Sequence, residues 1–443
     1  MKNLKLKHMK NLKFIFVFLI TLAIASCESY TEDLNTDPNN FQNAPAELII
    51  GQAQLGWMQL ATSNSARYAG IFMNHFTGED RQYISVNNYS TTAADYDDSW
   101  DDAYVDGIAQ AQLSKRLAAE AGNVRLQGVA LICEAALFGE MAALFGDVPF
   151  SEANDIANNP TPAYDNQADV LAGVQTLLDE AITKVGTATV ATYFGGNRLT
   201  STATWAEIAW SLKARYYLIA KNYPMALTAS RNGINTPAKS LRTVHTTVTN
   251  TENLYYQFMV DERDGYLGAT DSHLLNLVTG VVPRVIATPG ETQRAAFYFT
   301  GTSPRTSAGG VFAETAPMNL ISYEEVKLIE AEAANRTGDA GDVTAFNQVR
   351  AYLATKYSGL FPATVSASGS PALLREILEE KYISLIGELQ PFHDVRRTNN
   401  LLNVPPKTGS VIPQRFIYPQ VEVDTNPNVP SPLPTLFDPT PIN

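Results

Sequence analysis

The chain has 443 residues, 45% of them hydrophobic, and a formal net charge of −13. That acidity excludes capture of nucleic acid by a basic surface, while the apolar content is ample for a large core. Cys27 and Cys133 are the only cysteines, so an intramolecular disulfide is excluded once Cys27 is otherwise used, and packing has to supply the stability.

Five lysines (Lys2, Lys5, Lys7, Lys10, Lys13) and no acid precede an apolar run from Phe14 to Ala25. A run of this size falls short of the roughly 20 residues of a bilayer-spanning helix, so residues 1–26 read as a secretory signal peptide. Ile24-Ala25-Ser26-Cys27 has the form of a lipobox, with small residues for a peptidase cleft and a cysteine sulfur to accept a diacylglyceryl group. Two or three acyl chains, at about 0.8 kcal/mol per buried methylene, anchor stably where one is marginal. Cleavage before Cys27 removes the five lysines and takes the net charge to about −18. Met9-Lys10-Asn11-Leu12-Lys13 repeats Met1-Lys2-Asn3-Leu4-Lys5, and a start at Met1 or at Met9 stays open.

Residues 27–45 are polar and turn-rich, with Asn35-Thr36-Asp37-Pro38-Asn39-Asn40 at their centre, and are expected to form a lipid tether and lead loop. Residues 46–443 are expected to form a single domain. Asp95, Asp97, Ser99, Asp101 and Asp106 mimic the spacing of a calcium loop, but Trp100 stands where that loop needs glycine. An acidic helix start near Ser99 is the preferred reading, since the carboxylates suit the positive end of the helix dipole. Leu126, Val129, Cys133, Leu137, Met141 and Leu144 then form a helical stripe ending at Gly146 as C-cap, which makes Cys133 a core residue. Glu134 and Glu140 argue against a membrane span there.

Thr204 with Glu207 and Ser322 with Glu325 have capping-box spacing, each ahead of a helical apolar stripe. Helix pairs are predicted at 100–121 with 124–145, at 166–185 with 203–221, and at 323–338 with 343–357. The fold class is therefore mainly α, with tetratricopeptide-like helix pairs in one large domain, long irregular loops and little β structure. The long stretches 74–98, 186–200, 240–320 and 400–443 are predicted to be irregular, the last holding ten of the 24 prolines. Loops of such length usually carry function.

No two of the five histidines have metal-ligand spacing, and no nucleophile elbow, phosphate-cradling loop or dinucleotide fingerprint is present. Neither a catalytic residue nor a metal or other cofactor is expected.

Several segments resemble the SusD/RagB family of outer-membrane nutrient-binding lipoproteins. They are Leu34-Asn35-Thr36-Asp37-Pro38-Asn39, Ser99-Trp100 with Tyr104, and Leu144-Phe145-Gly146-Asp147-Val148-Pro149-Phe150. Tyr323-Glu324-Glu325-Val326 with Glu330-Ala331-Glu332-Ala333, Glu379-Glu380-Lys381-Tyr382 with Asp394-Val395-Arg396-Arg397, and Arg415-Phe416-Ile417-Tyr418-Pro419-Gln420 follow in the family's order. The resemblance implies a tetratricopeptide-containing body, lipid-anchored on the outer membrane at the cell surface. It further implies a partnership with a TonB-dependent transporter of the SusC type, to which an oligosaccharide or peptide is delivered uncleaved. Trp100, Tyr104, Arg396 and Arg397 read as architectural.

Sugars offer flat C–H faces to aromatic rings and hydroxyls to acids, amides and guanidinium groups. Two stretches have that mixture in loop positions: Asp80, Arg81, Tyr83, Asn88 and Tyr89, and Tyr255, Tyr256, Arg263 and Tyr266. These are the expected ligand-binding residues, and the family's ligand surface is built from loops of about these regions. Two other readings stay open: a membrane-anchored all-helical glycoside hydrolase, because many carboxylates make chance pairs unavoidable, and a structural or adhesive lipoprotein.

Overall fold

The computed structural model describes residues 44–155, 158–192 and 198–443; the signal, Cys27 and most of the predicted tether lie outside that range. Residues Pro45–Asn443 form one compact unit. It opens with α1 (Ala46–Thr62) and α2 (Asn64–Phe72), followed by the short α3 (Gln82–Asn87). The predicted acidic helix start is realised as α4 (Asp97–Ala103), which passes through a π-turn at Tyr104–Ile108 into α5 (Ala109–Glu120). The π-turn has a cause on the facing helix. A Cβ on Gly56 of α1 would lie 2.5 Å from the Gly107 backbone nitrogen, so two glycines let the backbones touch where the widened turn bulges.

The central helix α6 (Val124–Phe145) begins where the Asn123 side chain accepts the Leu126 N–H, and ends at Gly146 with φ 88°. Its apolar length passes for a membrane span by composition, yet it is packed inside the protein. Both of its acids are paired: Glu134 accepts from Lys115 of α5 at 2.6 Å, and Glu140 accepts from Arg215 at 3.0 Å. Cys133 is fully buried, as its place in the stripe requires, and burial pushes its thiol up to about 12.

Helices α7 (Gln167–Val185), α8 (Trp205–Ile219) and α9 (Tyr223–Asn232) continue the stack. After a loop-rich interval come α13 (Tyr323–Thr337), α14 (Asp342–Tyr357), α15 (Pro371–Ser384) and α16 (Gln390–Arg397). Each helix from α5 to α9 packs on the next; α9 then packs on α13, and α13 on α14 and α15. This is the predicted tetratricopeptide-like arrangement. Ala333 and Ala334 of α13 meet Ala214 and Leu218 of α8 and Ala226 and Ala229 of α9 in one small-residue cluster, which is why the helices approach so closely.

One capping box forms in full: Thr204 N–H donates to Glu207 Oε2 at 2.9 Å, and Glu207 N–H to Thr204 Oγ1 at 3.2 Å. The other forms by half. Ser322 caps the Glu325 N–H at 3.0 Å, but the Glu325 carboxylate is taken by Arg215 of α8, whose Nε lies 2.6 Å from Oε1. A buried guanidinium needs an anionic partner more than a backbone N–H at the helix start does.

Within the interval predicted as irregular at 240–320 lie α10 (Leu254–Tyr256) with a π-turn at Gln257–Glu262, α11 (His273–Val278) and α12 (Glu291–Tyr298). Asn253 and Ser272 cap α10 and α11 with their side chains. The proline-rich tail likewise holds α17 (Gln420–Thr425), fitted between Pro419 and Pro427. Strands are short: β1 (Thr77–Gly78) pairs antiparallel with β4 (Leu267–Gly268), β2 (Leu199–Thr200) with β3 (Leu241–Thr243), β3 with β7 (Asn319–Ile321), and β5 (Phe299–Thr300) with β6 (Ser303–Pro304).

Buried ion pairs fasten the later helices. Arg397 Nη1 donates to Glu332 at 2.7 Å, and Arg397 Nε to Asp394 at 2.7 Å. Glu380 of α15 accepts from Arg284, Arg294 and Arg350 together, which clamps the 284–294 segment and α14 onto α15. Arg396 and Arg397 occupy the last turn of α16 and act as internal bridges, in keeping with the architectural reading. Arg396 donates to the carbonyls of Ala143 at 2.9 Å and Gln414 at 2.8 Å. Trp100 and Tyr104 are core residues, stacked with centroids 4.7 Å apart.

Candidate functional site

Three segments distant in sequence converge at Asn74, just beyond the end of α2. Asn74 is left-handed with φ 63°, a conformation that asparagine tolerates better than most side chains. Its Nδ2 donates to the carbonyl of Pro405 at 2.9 Å and its Oδ1 accepts the His273 N–H at 3.1 Å. A third bond runs from the Leu274 N–H to the Asn74 carbonyl at 3.3 Å. One residue thus ties the 74–88 segment to the start of α11 and to the 405–407 loop.

Between these walls lies an open groove of about 620 Å³, lined by Asn74, Thr77, Gly78, Glu79, Asn87, Thr270, Asp271, Pro405, Pro406 and Lys407. That size suits a small organic ligand. Thr77 Oγ1 donates to the Thr270 carbonyl at 2.7 Å, and Glu79 Oε1 accepts the Thr270 N–H at 3.1 Å. A Cβ at Gly268 would lie 2.1 Å from the Glu79 carboxylate, so a larger residue there would push that carboxylate off the Thr270 N–H. On the opposite wall Lys407 Nζ donates to Thr77 Oγ1 at 2.6 Å, and its backbone N–H to the Tyr89 hydroxyl at 2.7 Å. Partial burial lowers the Lys407 ammonium to about 8, against the pull of Asp271 and Glu79. Burial and the neighbouring Lys407 together lower His273 to about 4, so that imidazole is neutral near pH 7. The groove offers carboxylate, amide, hydroxyl and ammonium groups to one ligand, the equipment for recognising a polyhydroxylated molecule.

The structure brings the two predicted stretches together. The β1–β4 ladder pairs Thr77 with Gly268 and Gly78 with Leu267, and the Tyr83 ring meets Phe258 at 4.8 Å and Tyr266 at 6.3 Å. Several of the expected residues nevertheless face inward. Tyr83 is 2% exposed, with its hydroxyl accepting from Arg67 Nε at 2.7 Å. Tyr255 is fully buried, stacked on Phe312 at 4.3 Å. Tyr89 is buried as well and spends its hydroxyl on the Lys407 N–H. These three offer no ring face to a sugar; they hold the walls, Tyr83 and Tyr255 as the apolar inner faces of the short helices α3 and α10, and Tyr89 by packing edge-on against Phe72.

Asp80, Arg81, Asn88 and Arg263 are exposed, and Tyr256 and Tyr266 are half-buried. Asp80 Oδ1 accepts the Arg81 N–H at 2.8 Å at the turn beside the groove, and Asn88 follows the lining residue Asn87. Tyr256 and Arg263 do not line the groove. Sequence reasoning missed Asn74, Thr270, Asp271 and Lys407. Asn74 and Asp271, with φ 56°, are turn-forming types at left-handed positions, a readable signal. Nothing local distinguishes Lys407 from other surface lysines.

A stack of paired helices whose connections meet in an open polar groove defines a helical-repeat protein with a candidate ligand groove. Residues 38–264, just over half of the chain, match the SusD-like family model described as "Starch-binding associating with outer membrane", and the chain belongs to that family. Among solved structures it is similar to a SusD/RagB family protein from Bacteroides thetaiotaomicron, at 21% identity and TM-score 0.62 over 87% of this chain and 95% of that one. It is also similar to a SusD homolog from Bacteroides fragilis, at 19% identity and TM-score 0.65 over 87% and 94%. A chitin-binding protein aligns at 19% identity and TM-score 0.60 over 86% and 94%. No curated protein matches the chain.

Proposed function

We propose that the protein captures an oligosaccharide at the cell surface in the groove between Asn74, Glu79, Asp271 and Lys407, and passes it uncleaved to a TonB-dependent transporter of the SusC type. Asp80, Arg81 and Asn88 stand at its rim as further contacts. Acyl chains on Cys27 hold the body to the outer membrane, with residues 28–45 as the tether. The observation that carries this reading is the convergence of three loop segments on Asn74 around a polar groove. Membership of a family described as starch-binding and associated with the outer membrane, and likeness to a chitin-binding protein, support a glycan as ligand.

The test is a glycan array probed with the soluble Cys27→Ser chain, followed by hours of incubation with each hit and an assay for reducing ends. Binding with the ligand intact supports the proposal. Release of reducing ends makes the protein a hydrolase, and binding to no glycan at all removes this reading.

A further inference from the structure

We infer that the ligand site continues past Lys407 into a second compartment at Phe437, a subsite for one further unit of the bound glycan. The inference rests on the function proposed above and adds to it that subsite.

Beside the groove lies a hollow of about 380 Å³ walled by Asn88, Tyr89, Thr408 to Val411, and Phe437. The two spaces share their boundary in sequence and in contact. Asn87 lines the groove and Asn88 the hollow, while Lys407 lines the groove and Thr408 the hollow. The Lys407 N–H donates to the Tyr89 hydroxyl at 2.7 Å, joining a residue of the groove to a residue of the hollow, and we take this bond as the saddle between them.

The chemistry of the hollow differs from that of the groove. None of its lining residues is charged, so it offers nothing to a carboxylate or sulfate on a sugar. Phe437 is 45% exposed and Val411 49%. Scattered surface apolar residues need no explanation, but here they share a concavity with an amide and two hydroxyls. The Phe437 ring meets Tyr89 edge-on at 6.3 Å and 72°, which fixes the ring while leaving much of it uncovered. An aromatic face beside Asn88, Thr408 and Ser410 suits the C–H face and hydroxyls of one further sugar unit, and a chain lying in the groove reaches it by crossing the saddle.

The experiment is calorimetry of the soluble Cys27→Ser chain, using graded oligomers of two to eight units from the malto- and chito- series and from any other glycan the array returns. Affinity is expected to rise with length and then level off. Phe437→Ala should weaken binding of long oligomers about tenfold while leaving short ones unchanged. Ser410→Trp, which fills the hollow from an exposed position, should do the same, and unchanged melting temperatures establish that both variants fold. Affinity independent of length, or long-chain binding untouched by both substitutions, overturns the second compartment while leaving the groove as a site. Failure of every series to bind the parent chain overturns the glycan reading itself.

Discussion

Asn74 donates its side-chain N–H to the carbonyl of Pro405, 331 positions later in the chain, at 2.9 Å. With the His273 bond to its Oδ1, this makes the groove depend on one side chain in a left-handed turn. Asn74→Ala loses both bonds and the asparagine side chain's tolerance of the left-handed region, at a cost of about 2–4 kcal/mol. Denaturant unfolding should register that loss, together with weaker ligand binding. Asn74→Gly keeps the turn and should recover part of the stability but little of the affinity.

The Lys407 ammonium stands between Thr77, Glu79 and Asp271 with its proton held less tightly than usual, at about 8. If its N–H groups serve the ligand, affinity falls as pH rises through about 8, because the neutral amine has fewer donors. Calorimetry from pH 7 to pH 9 should show that decline in the parent chain and its absence in Lys407→Met, which binds more weakly throughout.

Arg397 and Glu332 join α16 to α13 inside the protein. Burial alone raises the Glu332 carboxyl, but Arg397 and other nearby cations outweigh it and hold the group at about 2. A depressed carboxylate contributes stability above its unfolded pKa of about 4.3, and that stability is lost as pH falls through the folded value. Acid unfolding should therefore steepen between about pH 4.3 and about pH 2. Arg397→Ala, which leaves Glu332 paired with Arg336 and Asp394 with Lys381, should cost about 3 kcal/mol at pH 7, measured by urea unfolding.

Glu388 works in the opposite direction. Burial, reinforced by Glu325, raises its carboxyl to about 8, and its one described bond is from Asn319 at 3.2 Å. Its folded form keeps a proton that the unfolded chain has released, so stability declines as pH rises from about 4.3 to about 8. Glu388→Gln should flatten that decline in thermal melts taken across the range.

Tyr83 and Tyr255 lie inside the walls, so truncating either ring should act first on stability. Tyr83→Ala should cost about 3–5 kcal/mol, whereas Tyr83→Phe removes only the hydroxyl's bonds, from Arg67 at 2.7 Å and to Asn64 Oδ1 at 3.4 Å. Urea unfolding of the two variants distinguishes a wall residue from a ligand contact, which would weaken binding with stability intact.

The helical stack was legible because its signals are local: the apolar stripe from Leu126 to Leu144, the Thr204 capping box, and the alanines of α13. The half-formed box at Ser322 was misread for a non-local reason, since spacing does not reveal that Glu325 faces Arg215. Short helices in the loop regions escaped notice although Asn253 and Ser272 announce them as caps, because one or two turns carry too few residues to show a period. The two loops expected to hold ligand do meet, at the β1–β4 ladder. Which aromatic of a pair such as Tyr255 and Tyr256 points inward is decided by the packing of α10, and composition is silent on it. Lys407 enters the site by a tertiary contact alone.

The most direct measurement is hydrogen–deuterium exchange of the soluble chain with and without a saturating array-selected oligosaccharide. The account predicts added protection at 74–79, 87–89, 270–274 and 405–411, with the stack from α5 to α9 unchanged. Protection centred elsewhere, for instance at Trp100, Tyr104 and Asn154, with none around Asn74, would contradict it.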